Sequence, residues 1–405
     1  MKKIRLALCA TAVFLGLALS LQAHVYGTFL LKPLEILWSD GIDNLGFQYP
    51  RMSKKQDSPS YDGEKKHIAL GTGITMKYIE RGTPNGKTLL FLHGYTDTSR
   101  SFERVIQELM EFNGGLHILV PDLRGHGESS MPHYSETANG FEISNFTADI
   151  LDFINQLNLK EVVLVGHSMG SIIAQEIALM HPEKISSLIL MGTFANTKEN
   201  PMVQDFLLKD LIKAEWGRIL HTKFGEDWRN TSYLLTPKYL GDDVVTFLKE
   251  NWVVEAYAPE TFLETVYLET IATPFGTWFG ALESIAAVDN TTKLRNLAVP
   301  TLVLWGNDDT IFPESPDQSE LKLILEECSQ KNAVPMYFKT YISPLETHSE
   351  IGHNFHWGIP HIVAMDIGSF VKIGKPIVHT LTDLKNRKGT ISQPYSKVQF
   401  WGVGD

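Results

Sequence analysis

The sequence predicts an α/β fold in which a mostly parallel sheet is flanked by helices and interrupted by an inserted helical region. Three observations predict it. From about residue 74, short apolar runs alternate with longer helical stretches, and repeated strand-helix alternation gives parallel strands covered on both faces. The runs are apolar throughout, as strands buried on both faces must be. Between 194 and 290 the alternation gives way to helical, aromatic-rich sequence, then resumes at 301.

The elements follow in order. Residues 74–79 alternate like a half-exposed strand, and Asn85-Gly86 then signals a hairpin turn into the buried run 88–92. A helix over 102–110, a strand at 117–120, a helix over 143–157, a strand at 162–165, a helix over 171–180 and a strand at 187–191 complete the first half. The insertion at 194–290 carries Phe206, Trp216, Trp228, Tyr233, Trp252, Tyr257, Phe275 and Trp278. Strands at 301–305 and 336–342, the last expected, precede an amphipathic stretch at 362–371. The core is therefore expected at 71–193 and 291–372, with extensions at 24–70 and 373–405.

The 405 residues carry a formal net charge of -11 and no Lys/Arg-rich block. That excludes a nucleic-acid partner, because phosphate binding needs a concentrated basic face. Met1-Lys2-Lys3-Ile4-Arg5 followed by an uncharged apolar run to Leu21 and then Gln22-Ala23 has the layout of a signal peptide over 1–23. The chain is therefore expected to be exported, to the periplasm or outside the cell. The alternative is an uncleaved membrane anchor, the one route to a membrane partner. Of the two cysteines, Cys9 lies in this segment, so the processed chain keeps Cys328 alone and forms no internal disulfide.

The chemistry is concentrated in Gly166-His167-Ser168-Met169-Gly170, directly after one strand and before a helix. A serine hydroxyl is a weak nucleophile that must be presented to a base without crowding, and a sharp strand-to-helix turn with flanking glycines does this. Ser168 is the expected nucleophile. The oxyanion that such a reaction forms needs preorganised donors. Two are expected: the N–H of Met169 at a helix start, and the N–H of Tyr95 in the turn His93-Gly94-Tyr95, where His93 itself is expected to be structural. A base and its orienting acid must come from later strand ends. Trp305-Gly306-Asn307-Asp308-Asp309 offers two neighbouring carboxylates, and Gly352-His353-Asn354-Phe355 offers the histidine.

Over roughly residues 74–372 the chain resembles the α/β-hydrolase-fold serine hydrolases, with Asp122-Leu123-Arg124-Gly125-His126-Gly127 similar to the loop after their fourth strand. The resemblance implies Asp309 rather than Asp308 as the acid, His353 rather than His348, His356 or His361 as the base, and a cap domain at 194–290. It implies hydrolysis of a small acyl substrate, a carboxylic ester first, with lactonase, amidase, carbon-carbon bond hydrolase and cofactor-free haloperoxidase chemistry available to the same triad. Serine rather than aspartate at 168 disfavours haloalkane dehalogenase and epoxide hydrolase chemistry. No cofactor or metal is implied: no G-x-G-x-x-G follows an early strand, and the late histidines lack a matched ligand set. A non-catalytic small-ligand receptor is the alternative of another class.

Overall fold

The structure, a computed structural model, describes residues 65–402 apart from 113, 138, 256, 343–350 and 378–394. The segment expected to be a signal peptide, nearly all of the expected N-terminal extension and His348 lie outside the described residues. Among the described residues, nine strands form one sheet in the order β1-β2-β4-β3-β5-β6-β7-β8-β9. They are β1 (Lys66–Ala69), β2 (Thr75–Gly82), β3 (Lys87–Leu92), β4 (Leu116–Pro121), β5 (Val162–His167), β6 (Ile185–Met191), β7 (Thr301–Gly306), β8 (Met336–Ile342) and β9 (Tyr395–Trp401). β4 to β8 and the intervening β3 run parallel, while β1, β2 and β9 pair antiparallel at the two edges.

Alternate residues along the strands enter two cores because successive side chains point to opposite faces. Leu90, Leu92, Val162 and Leu164 join one cluster; Leu89, Phe91, Val163 and Val165 join the other. Helices α1 (Glu103–Phe112) and α7 (Pro360–Ile373) cover the second cluster through Val105, Leu109, Val363 and Ile367. Helices α2 (Ile143–Gln156), α3 (Met169–Met180) and α6 (Ser319–Asn332) cover the first through Phe146, Phe153, Ile172 and Ile324.

Two expectations need correction. The Asn85-Gly86 turn does not close a hairpin: β4 lies between β2 and β3. The turn instead packs on the start of β4, where Lys87 N–H donates to Gly115 O at 2.8 Å and a Cβ on Gly86 would stand 2.3 Å from that oxygen. Glycine is needed there for close backbone approach. Nor is β8 the last strand, since β9 pairs along its whole length from Met336↔Trp401 to Ile342↔Tyr395. With β1 at the other edge, the sheet reaches beyond both expected core limits.

Between β6 and β7 the named elements are all helical, among them Met202–Gly217, α4 (Glu260–Thr270) and α5 (Phe275–Ala286). A backbone bridge Asn196↔Asp289 and the Asn290 N–H to Ala195 O bond at 2.7 Å pin the two ends of this insertion together, so it leaves and rejoins the sheet at one point.

Candidate active site

Ser168 sits between β5 and α3 with φ 51° and ψ -120°, a backbone region that non-glycine residues occupy at a cost of roughly 1–3 kcal/mol. Close packing enforces the turn. A Cβ on Gly170 would stand 2.1 Å from Leu92 O, and one on Gly166 would stand 2.4 Å from Gly170 O, so neither position admits a side chain. The Ser168 N–H donates to Met191 O at 2.9 Å, and the Ser171 hydroxyl donates to Ser168 O at 2.6 Å. Ser168 at the apex is half-buried.

Asp309 and His353 meet, although 44 positions separate them. The His353 Nδ1–H donates to Asp309 Oδ2 at 2.8 Å, and Asp309 Oδ1 accepts the N–H groups of Ile311 and Phe312, each at 3.0 Å. Asp309 is buried and His353 half-buried. Asp308 spends its backbone N–H on Ile351 O at 3.1 Å, tying the turn after β7 to the loop that bears His353. A Cβ on Gly306 would come within 2.3 Å of the same Ile351 oxygen. The His353 ring lies beside the end of β6, where a Cβ on Gly192 would stand 3.1 Å from its Cε1, next to the Met191 carbonyl that holds Ser168.

The remaining histidines have other partners. His93 Nε2 accepts the Leu123 N–H at 2.9 Å, so Nδ1 carries the proton and donates to Gly94 O; burial lowers its pKa to about 4 and keeps it neutral. His356 is buried against Ser101, and His361 pairs with Glu108 on α1. His167 donates from Nε2 to the His353 carbonyl at 3.1 Å, and burial drives its pKa well below the usual range.

Met169 opens α3, where the first N–H groups have no partner within the helix. Gly94 faces Ser168: a Cβ there would stand 3.2 Å from Ser168 Cβ. Tyr95, the next residue, turns its side chain away into the insertion, its hydroxyl donating to Trp278 O at 2.5 Å.

Several contacts have no local signature in the sequence. Asp122, buried after β4, accepts the N–H of Ser99 and of Glu128, both at 2.9 Å, and the Lys65 ammonium at 2.8 Å. Those bonds and the positive charge hold its carboxyl below the usual range against the opposing effect of burial. Glu269 on α4 accepts from Thr98 at 2.5 Å and from Arg100 Nε at 2.7 Å. Asp97 accepts the Ser101 hydroxyl at 3.0 Å, and burial raises its pKa to about 7. The loop after β3 is thus held from several sides, and only its glycine signalled a special role in the sequence.

Comparison with known proteins decides the family, since the family model for the alpha/beta hydrolase fold matches residues 87–330. The chain belongs to the α/β-hydrolase fold family. The hydrolase is 25% identical over 360 residues to "Epoxide hydrolase 4" of Mus musculus, spanning 84% of this chain and 89% of the relative. It is 24% identical over 303 residues to "Lipase 1" of Psychrobacter immobilis, spanning 73% and 83%. Among solved structures, the esterase EaEST from Exiguobacterium antarcticum superposes with a TM-score of 0.57 at 20% identity, over 76% of this chain and 99% of that one. No helix among the described residues is long and apolar enough to cross a membrane.

Proposed function

We propose that the hydrolase cleaves a small carboxylic ester through an acyl-enzyme on Ser168. The observation that carries this reading is the His353–Asp309 hydrogen bond of 2.8 Å beside a serine at a glycine-flanked turn. With Nδ1–H committed to Asp309, the imidazole keeps its Nε2 lone pair for the Ser168 proton. Ser168 Oγ then bonds to the acyl carbon, and the carbonyl oxygen takes up negative charge facing the Tyr95 and Met169 N–H groups. As the ester C–O bond breaks, His353 returns its proton to the leaving alcohol. A water that His353 deprotonates attacks the acyl carbon next, Ser168 leaves with the proton, and the acid is released.

Epoxide hydrolase is the name of several relatives, but the residue at 168 argues against carrying it over. A serine oxygen opening an epoxide would form an ether, which water does not cleave, whereas an acyl-serine is an ester that a second attack hydrolyses. Lactonase, amidase, carbon-carbon bond hydrolase and haloperoxidase activities share the machinery and rank behind the ester.

A fluorophosphonate probe applied to wild type and Ser168→Ala, together with turnover of a p-nitrophenyl ester series, tests the reading. Labelling at Ser168 with turnover lost in the variant supports it. An unlabelled wild type without turnover moves the assignment to a small-ligand receptor. Export, proposed from residues 1–23, is tested separately by mass spectrometry of the secreted or periplasmic protein; a retained Met1 would refute cleavage.

A further inference from the structure

One short stretch of the insertion touches both loops on which the proposed reaction depends. Residues 252–255 close the helical segment Leu248–Trp252 and begin the connection that leads on to α4 at Glu260. At one end of this stretch, the Trp252 indole Nε1–H donates to Thr96 Oγ1 at 2.9 Å. Thr96 is fully buried with φ 62°, a conformation in which a β-branched residue persists only when its surroundings impose it. The Trp252 ring also meets Tyr95 edge-on at 5.9 Å and Trp278 at 5.2 Å, closing an aromatic triangle around Tyr95.

At the other end, the Glu255 carboxyl group lies against the turn Gly352-His353-Asn354, where the N–H groups of Gly352 and Asn354, the two neighbours of His353, favour its charged form. The fit is close: a Cβ on Gly352 would stand 3.4 Å from Glu255 Oε2, and one on Gly358 would stand 3.3 Å from its Cγ. A carboxylate with two acceptor oxygens suits two N–H groups from one turn. Burial raises its pKa to about 8, with the nearby charges of Asp309 and Asp308 acting in the same direction.

We infer that Trp252 and Glu255 are positioning residues: through them a single stretch of the insertion fixes the loop bearing the Tyr95 N–H and the loop bearing His353 relative to each other. The inference rests on the Ser168, Asp309 and His353 reading above. It gives the insertion a part in catalysis beyond covering a substrate, because displacing residues 252–255 would release the oxyanion donor and the base together.

The test compares wild type with Glu255→Ala, Glu255→Gln and Trp252→Phe, using p-nitrophenyl acetate turnover, fluorophosphonate labelling rate and thermal unfolding. Glu255→Ala is expected to lower kcat and the labelling rate by about tenfold or more with KM within about threefold, since misplaced groups cost rate rather than uniform binding. The conservative Glu255→Gln, which keeps an acceptor oxygen, should recover most of that loss. Trp252→Phe, which keeps an aromatic ring but removes the N–H and part of the indole, should lower kcat by about fivefold or more through the oxyanion loop. If labelled wild type and a folded Glu255→Ala turn over equally, or if Glu255→Ala raises KM alone, the positioning role is wrong and the triad stands. A wild type that is not labelled at Ser168 overturns the triad and this inference with it.

Discussion

His353 Nδ1 stands 2.8 Å from Asp309 Oδ2, while Asp309 Oδ1 is occupied by the N–H groups of Ile311 and Phe312. The carboxylate therefore has one oxygen locked to its own turn and one presented to the imidazole. Asp309→Asn would offer an amide that can donate to the ring and favour the wrong tautomer. Its kcat on p-nitrophenyl acetate should fall by about 10⁴-fold, whereas Asp308→Asn, which leaves the bond intact, should stay within about tenfold of wild type. Equal losses in the two variants would reject the assignment of the acid.

The turn bearing Ser168 depends on two glycines whose neighbours are backbone atoms and cannot rotate away. Gly170→Ala brings a Cβ to 2.1 Å from Leu92 O, so β3 or α3 must shift. Its urea midpoint should drop by an amount equivalent to about 3 kcal/mol or more, at the upper end of overpacking costs. Gly114→Ala meets nothing within 4 Å and serves as the control, expected within about 0.5 kcal/mol of wild type.

Asp97 makes stability depend on pH in a direction opposite to that of a salt-bridged carboxylate. Burial raises its pKa from 3.8 to about 7, against the Ser101 hydroxyl and His353, which act to lower it. The folded state thus holds a proton that the unfolded chain gives up. The contribution is full below pH 3.8, falls as pH rises, and is gone above about pH 7. Asp97→Asn removes the titration and keeps an oxygen to accept from Ser101. The variant should therefore gain stability relative to wild type between pH 4 and 8, by on the order of a few kcal/mol, in urea titrations run across that range. A pH-independent difference would show that Asp97 does not titrate in this window.

Lys339 on β8 and Asp366 on α7 form a buried ion pair at 2.6 Å, their side chains 0% and 1% exposed. Asp366 also accepts from Tyr341 at 2.7 Å and from the Ile377 N–H at 3.0 Å. Burial lowers the Lys339 pKa and raises that of Asp366, so each depends on the other for its charge. Lys339→Met strands the carboxylate and should destabilise by about 3–5 kcal/mol in chemical denaturation, while Lys339→Met with Asp366→Asn should recover part of the loss. A double variant no better than the single would place the cost in lost packing.

The sequence by itself determined what is local. Val162 to Val165 form a strand because they are an unbroken apolar run, and Ser168 follows at a turn because glycines stand on either side of it; both can be read without knowing what lies opposite. The α/β class, the helical insertion and the place of the Ser168 turn come from such patterns. The choice between Asp308 and Asp309 was open to the residues alone and needed a family resemblance, since neighbouring carboxylates look alike until the fold directs one toward a histidine 44 positions away. Tertiary structure also decided the place of β4 between β2 and β3, the pairing of β9, and the contacts of Trp252 and Glu255 with the loops after β3 and before α7. Asn85-Gly86 has the composition of a hairpin turn, yet its strands part because β4 enters between them and pairs with Tyr78–Gly82 of β2 and Lys87–Leu90 of β3. Hydrogen bonding between distant segments depends on which surfaces the packed chain brings together, and no local pattern of residue types records that.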